Sequence, residues 1–395
     1  MALNRQLGLS DAVVLGMGAM LGAGVFVAYS PATARAGTAV PIALLLAAAI
    51  AWANADSSAR LAATLPTSGG AYAYGRARLT PFWGGVAGVA FLVGKSASAG
   101  AIAATAATYL VPRYATAAGV AVVVTLTILA AFGVRRGAWL TRAVVALVLG
   151  VLVAVIVATV VSGPRHGWTG LTESSAGSAD PWGVLAGAGV LFFAFAGYAR
   201  IATLGEEVRD PERTIPRAIG LALALVLVVY TGVGVALLGA LGTDDLARSD
   251  RPLAELAALV GGPGWAAVVA ATAGVAALAS GLGVLLGLSR TTFAMSRDGV
   301  LPRALATLDG PERDARPVRA QIAVGAVTVA GMAVLDLRQA IAVSSAAVLV
   351  YYAVAHAAAL TLPGRARRIV PVLGIVGCLV IAAALLLPSG NRLSG

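Results

Sequence analysis

The spacing of apolar runs constrains this chain more than any other feature. Eleven such runs, at approximately 11–34, 39–62, 83–110, 115–133, 140–162, 182–205, 217–241, 264–289, 317–335, 339–361 and 369–388, are separated by charged or Pro/Gly-rich stretches. At ~1.5 Å of rise per residue each is long enough to cross a hydrocarbon layer about 30 Å thick. Backbone groups in lipid must satisfy one another, so runs of this kind are helices. Composition agrees: 59% of residues are hydrophobic and 11% charged, against roughly 25% charged in a soluble domain. The expectation is an all-α polytopic membrane protein. Met1–Ser10 is short and polar, so the first run is expected to be a span and not a cleavable signal peptide. The single cysteine, Cys378, lies in an apolar run, which excludes an internal disulfide and is expected to be inert packing.

The formal charge of +11 would point to nucleic acid in a soluble chain. Sorted by loop it means something else. With the N-terminus inside, nineteen arginines fall in cytoplasmic segments, from Arg5 to Arg368, and seven fall outside: Arg35, Arg113, Arg165, Arg248, Arg251, Arg338 and Arg392. That bias sets orientation. It predicts a multi-pass protein of the cytoplasmic membrane, embedded in the lipid bilayer, with the N-terminus cytoplasmic, the C-terminus outside and no role for nucleic acid.

Two spans are interrupted. In the sixth, an aromatic run from Phe192 meets Gly197, then Arg200, and leaves the apolar phase through Glu206 and Glu207. A charge beside a helix break normally faces a bundle interior or a water-filled cavity. The alternative is that Arg200, about 9 Å along the helix from Glu206, snorkels to the interface or sits in a structural ion pair. The first span carries Gly16, Gly18, Gly22 and Gly24 within nine residues. Each glycine weakens a helix by about 1 kcal/mol relative to alanine, which predicts an unwound segment with free amides and carbonyls; the alternative is close helix packing through small residues. Spans one and six are five apart, so they run antiparallel. That arrangement points to an inverted repeat with a site between two broken helices, the first repeat at 11–162, the second at 182–361 and an extra helix at 369–388, all within a single transmembrane domain, 1–395.

Charged and polar residues inside the other spans are few. Span two has Asn54 and Asp56, and is followed by a turn-rich stretch, Pro66–Tyr74. Span three has Lys95, about 18 Å along from Trp83, and Lys95 is the one lysine in the chain. A lysine retained there serves as a compact or titrating ammonium, or else as a fixed ion pair with Asp56. Span eight offers Ser280 and Ser289, and span ten has His356, a residue more often hydrogen-bonded structure than proton relay. The sequence carries no catalytic constellation, metal-ligand cluster or phosphate loop, so neither an enzyme nor a cofactor is expected.

The combination resembles the amino acid–polyamine–organocation permeases, and three motifs carry the likeness. Gly18–Phe26 is similar to that family's glycine-rich break in helix 1. Pro66–Tyr74 is similar to its first cytoplasmic loop. Phe192–Tyr198, continuing through Glu206–Pro211 to Ile215–Ile219, is similar to its helix 6 and following loop. Arg290–Pro302 adds to the likeness. The resemblance implies a five-plus-five inverted repeat of the leucine-transporter type, with helices 1 and 6 broken. It implies that Met20, Gly22, Ala23 and Gly24 line a substrate site, the 22–24 backbone holding a carboxylate. Phe193 would be the gating aromatic, and Ala196 and Gly197 would offer backbone acceptors to an amino group. Small residues at Ala23 and Ala196 leave room for a side chain. Two departures stand out. The position of a helix-5 lysine found in cationic and proton-coupled members falls at Val148, and eleven spans replace the usual twelve.

The resulting expectation is a secondary active transporter of amino acids working by alternating access. Lys95 and Arg200 are cationic within spans against one in-span acid, Asp56, so neutral or anionic substrates are favoured by like-charge repulsion. Coupling to protons, through Lys95, or exchange is expected ahead of sodium. The alternatives are a sensor or partner subunit on the same scaffold, a passive channel, or a permease for an amine or other organic solute.

Overall fold

The computed structural model describes residues 8–65, 69–133, 138–163, 180–198, 201, 208–310, 315–363 and 368–387. Fourteen α-helices are given by the described residues: α1 (Leu9–Met20), α2 (Gly24–Val27), α3 (Tyr29–Ala36), α4 (Val40–Thr64), α5 (Gly70–Arg78), α6 (Pro81–Leu110), α7 (Ala115–Ala131), α8 (Ala138–Ser162), α9 (Pro181–Phe195), α10 (Pro211–Arg248), α11 (Pro252–Arg297), α12 (Val318–Val334), α13 (Leu337–Ala359) and α14 (Ile369–Leu386). Among the described residues no strand forms, only an isolated bridge between Asp309 and Arg316. Among the described residues nine helical stretches are long and apolar enough to span a membrane, and two apolar helices, Pro181–Phe195 and Val318–Val334, are shorter.

Helix starts are written in the sequence. Thr80 accepts from the Trp83 amide ahead of Pro81, Asp180 from the Trp182 amide ahead of Pro181, and Asp336 forms a capping box with Gln339. Each pairs a side-chain acceptor with an orphan helix amide.

The packing order has the internal symmetry of an inverted repeat. Span one is α1–α3, spans two to five are α4, α6, α7 and α8, and spans six to ten begin with α9 and continue with α10, α11, α12 and α13. α4 packs on α9, and α1 on α10. α6 packs on α13, and α11 on α8; α6 packs on α7, and α11 on α12; α1 packs on α8, and α9 on α13. Exchanging the first five spans for the second five turns each pair into the other. The pairs α6 with α11, α4 with α10 and α7 with α12 map onto themselves. α14 lies outside this pattern, against α13, α9 and α4.

Three local expectations are corrected. The stretch ending at Tyr74, expected to be a turn-rich loop, enters a helix, α5, through its N-cap Gly69 (φ 137°) and first residue Gly70 (φ 55°). Both glycines hold backbone conformations that a Cβ disfavours, and the turn residues disguised the helix behind them. Spans seven and eight extend into longer helices that bend at Gly242 (φ 72°) and at Gly262 (φ 79°) ahead of Pro263. Finally, Gly16 and Gly18 do not unwind span one. They lie within α1 as contact points: a Cβ on Gly16 would stand 2.2 Å from Ile201 Cδ1, and one on Gly18 2.9 Å from Thr141 and Val145. Small residues there serve close packing, and unwinding is confined to Leu21–Ala23.

Candidate functional site

The first span breaks where α1 ends at Met20 and α2 begins at Gly24. Leu21 bonds back to the Met17 carbonyl at 2.7 Å. Beyond it the amides of Gly22, Ala23 and Gly24 have no backbone acceptor among the described residues. Helix starts leave such donors orphaned and carry partial positive charge, which suits an anion. The sixth span breaks in the opposite sense. α9 stops at Phe195, Ala196 caps it, and Gly197 and Tyr198 form a turn.

The two breaks meet backbone to backbone. A Cβ on Gly197 would stand 2.2 Å from the Ala19 carbonyl oxygen and 2.7 Å from the Met20 nitrogen. A Cβ on Gly24 would stand 2.6 Å from the Ala194 Cα. On the other side, Gly22 abuts Ser280 of α11, with 2.8 Å from such a Cβ to the serine Cβ. Met20 and Ala23 are buried, Phe193 is buried on α9, and Ala196 and Gly197 are partly exposed. Met20, Gly22, Ala23, Gly24, Ala196 and Gly197 therefore lie in the two breaks, with Phe193 in the turn of α9 just before the second.

Buried tyrosines fasten this arrangement, and sequence reasoning missed them. The Tyr230 hydroxyl, from α10, reaches the Met20 carbonyl at 2.8 Å and the Ala194 carbonyl at 3.2 Å, so one phenol ties the last turns of α1 and α9. Its ring packs edge-on to Phe195 at 5.1 Å between centroids. Tyr29 donates to the Tyr230 carbonyl, and Tyr109 of α6 donates to the Phe26 carbonyl at 2.7 Å. The available signal was a lone tyrosine inside the aliphatic run of span seven. A phenol buried there needs an acceptor, but which one it finds depends on tertiary contact.

The charged candidates are more dispersed. Asp56 pairs with Arg60, one turn along α4, at 3.7 Å. Lys95 is half-buried on α6, next to Gly94, which packs on Ser344 and Val348 of α13. No hydrogen bond or ion pair engages Lys95 among the described residues, so no pair with Asp56 forms. Arg200, Glu206 and Glu207 lie outside the described residues. Val148 is fully buried on α8.

His356 is a buried structural hub. Its Nδ1 lies 2.8 Å from Ser57 Oγ and its Nε2 2.7 Å from Asn54 Oδ1, which also accepts from Cys378 Sγ at 3.2 Å. Gly374 makes room for the ring: a Cβ there would stand 2.2 Å from the imidazole. Cys378 thus does more than fill space.

Below the breaks, α5 bridges two spans of the second repeat. The Ala71 amide donates to Tyr351 of α13 at 2.9 Å, and Tyr72 donates to Asp298, at the end of α11, at 2.8 Å. Burial, then the Asp298 carboxylate, pushes the Tyr72 phenol up to about 12.

Broken helices meeting backbone to backbone define a polytopic membrane protein of the broken-helix class. The chain belongs to the amino acid permease family, which matches residues 7–394, and so to the amino acid–polyamine–organocation superfamily. It is 53% identical over 394 residues to an uncharacterized transporter of Mycobacterium tuberculosis, covering 98% of this chain and 88% of the relative. It is 30% identical over 363 residues to a vacuolar cationic amino acid transporter of Arabidopsis thaliana, covering 85% of this chain and 60% of that protein. Against the branched-chain amino acid permease BcaP of Bacillus subtilis it is 27% identical over 336 residues, covering 77% of this chain and 70% of the permease.

Proposed function

We propose that the protein is a secondary active permease for α-amino acids with neutral side chains, anionic ones ranking next, working by alternating access. The observation that carries this is the meeting of the two breaks, beside which three consecutive amides at Gly22–Gly24 have no backbone acceptor among the described residues. A carboxylate suits those amides, and an ammonium suits the carbonyls at Ala196 and Gly197. Phe193 gates the site, and the small side chains of Ala23 and Ala196 leave room for the substrate. Relatives are named for cationic and for branched-chain substrates. Neutral substrates are favoured here because Asp56 is already paired with Arg60. Lys95 and Arg200 would also repel a second positive charge at low dielectric.

Coupling is assigned to protons, with Lys95 as the titrating group. It is the one lysine of the chain, lies mid-helix in α6 and has no acidic partner among the described residues. The arginine bias supports an N-terminus in the cytoplasm and a C-terminus outside.

The test is uptake of a panel of labelled amino acids into proteoliposomes, in sodium-free buffer, with and without an inward proton gradient. Uptake accelerated by the gradient is expected. Flux only into vesicles preloaded with amino acid would make the protein an exchanger, a strict sodium requirement would overturn the coupling, and no flux of any amino acid would overturn the substrate class.

A further inference from the structure

An apolar groove lies where α6, α13 and the turn after α11 converge, with a volume of about 600 Å³. Phe82, Val89 and Val93 of α6, Val300, and Ala347 and Val350 of α13 are among the residues that line it, and none of the lining residues carries a polar side chain. Phe82, Val89 and Val93 are exposed although α6 is long and apolar enough to be a membrane span, so the groove opens sideways into the bilayer. Gly85 keeps it deep: a Cβ there would meet nothing within 4 Å.

Length and charge say what fits it. From Phe82 to Val93 the groove runs about 16 Å along α6 at ~1.5 Å per residue, against roughly 15 Å for one leaflet, half of a hydrocarbon core about 30 Å thick. Basic residues collect at the Phe82 end. Arg78 stands three residues before Pro81, and Arg303 three after Val300, so each is within about 11 Å of chain from a lining residue. Neither guanidinium makes a hydrogen bond or ion pair among the described residues. Arg76 packs on Gly84, beside Gly85. The carboxylate at this end, Asp298, is already engaged by Tyr72 at 2.8 Å, Arg297 at 3.8 Å and Arg76 at 4.0 Å. The arginine bias supports this end as the cytoplasmic one, and lipids of that leaflet carry negative charge. A wholly apolar channel one leaflet deep, with unpaired arginines at its interfacial end, matches a molecule with a hydrocarbon chain and an anionic head.

We propose that the groove is a binding site for an anionic phospholipid, one acyl chain lying along α6 and α13 and the phosphate held by Arg78 and Arg303. Guanidinium forks suit phosphate oxygens, and the chain covers apolar surface that α6 and α13 leave open. The lipid would also brace α5. Arg78 is the last residue of that helix, and Val350 adjoins Tyr351, whose hydroxyl accepts from the Ala71 amide at the other end of α5. The site is independent of which solute the protein carries.

Native mass spectrometry of the full-length protein tests it, after titration in detergent with phosphatidylglycerol or with zwitterionic phosphatidylcholine. The wild type is expected to retain one phosphatidylglycerol about tenfold more tightly than phosphatidylcholine, the scale of a charge-assisted contact. Arg78→Gln combined with Arg303→Gln should erase that preference. Gly85→Leu fills the groove and leaves both arginines in place, and should weaken retention of phosphatidylglycerol about tenfold. Gly150→Leu, exposed on α8 where a Cβ likewise meets open space, should retain the lipid as the wild type does. Both glycines have room for a side chain, so both variants are expected to fold, with Tm in detergent as the check. Equal retention of the two lipids by the wild type overturns the assigned headgroup contacts. Unchanged retention in Gly85→Leu overturns the groove as the site, even where the arginine variant loses the lipid. A dimer that Gly85→Leu dissolves would assign the groove to a second copy of the chain and overturn the lipid.

Discussion

Gly197 lies so close to Ala19 that a single added methyl group would stand 2.2 Å from the Ala19 carbonyl oxygen. The contact is backbone against backbone. No flexible side chain can swing aside, so the two broken spans touch only because position 197 carries no side chain. With Gly24 against Ala194 and Gly22 against Ser280, it makes the central contact of the carrier a matter of missing atoms.

Gly197→Ala should therefore be far more harmful than its size suggests. Overpacking a close contact costs about 1–3 kcal/mol, and here the strain falls on the break itself. Uptake is expected to drop at least about tenfold, an effect of about 1.4 kcal/mol or more. Gly220→Ala, on α10 with open space around it, should transport normally. Comparable uptake by the two variants would show that the contact between the breaks has no functional weight.

Tyr230→Phe keeps the ring against Phe195 and removes the hydroxyl that ties Met20 to Ala194. Leaving both carbonyls without that donor should lower stability by about 1–3 kcal/mol. Thermal unfolding in detergent should register a lower Tm. Transport should slow, because the ends of the two helices lose their shared anchor. Unchanged Tm and uptake would mean that the phenol is a bystander.

Lys95 is expected to set the pH response. Lys95→Gln removes the titrating group and should leave residual exchange that ignores an imposed proton gradient. Lys95→Arg keeps the charge but holds it across the working pH range, since an arginine pKa lies above about 12, and should give the same insensitivity. Gradient-driven uptake that survives in Lys95→Gln would remove this residue from coupling.

Alkali should loosen α5. The Tyr72 phenol is raised from 10.0 to about 12, by burial first and by the bonded Asp298 carboxylate second. A raised folded-state value means that the neutral phenol is the form stabilised by folding. Its contribution is present in full below pH 10 and is lost as pH climbs through about 12. The Tm advantage of wild type over Tyr72→Phe should hold at neutral pH and shrink across that window. An advantage that stays constant with pH would contradict the Tyr72–Asp298 bond.

Where the two spans break was legible along the chain, and for identifiable reasons. Gly197 and the Gly22–Gly24 cluster stood out because glycine inside an apolar span is locally unfavourable. The same reasoning overreached at Gly16 and Gly18. Glycine serves unwinding and close approach equally well, and only Ile201 and Val145, brought up by other helices, decide between them. α5 was hidden because turn-forming glycines occupy its N-cap and first position. Tyr230 was invisible as an anchor, since its acceptors Met20 and Ala194 are 210 and 36 residues away.

The sequence by itself determined the helical, polytopic membrane class and the family to which the chain belongs. The class follows from local hydrophobicity and the fixed thickness of a bilayer, and the family from motifs along the chain. Only the tertiary structure decided where the first span unwinds, that the two breaks touch, that Asp56 pairs with Arg60 and not with Lys95, and that His356 bonds to Ser57 and Asn54. Each of these depends on which atoms from distant spans arrive within a few ångströms, and hydropathy along a chain carries no record of that.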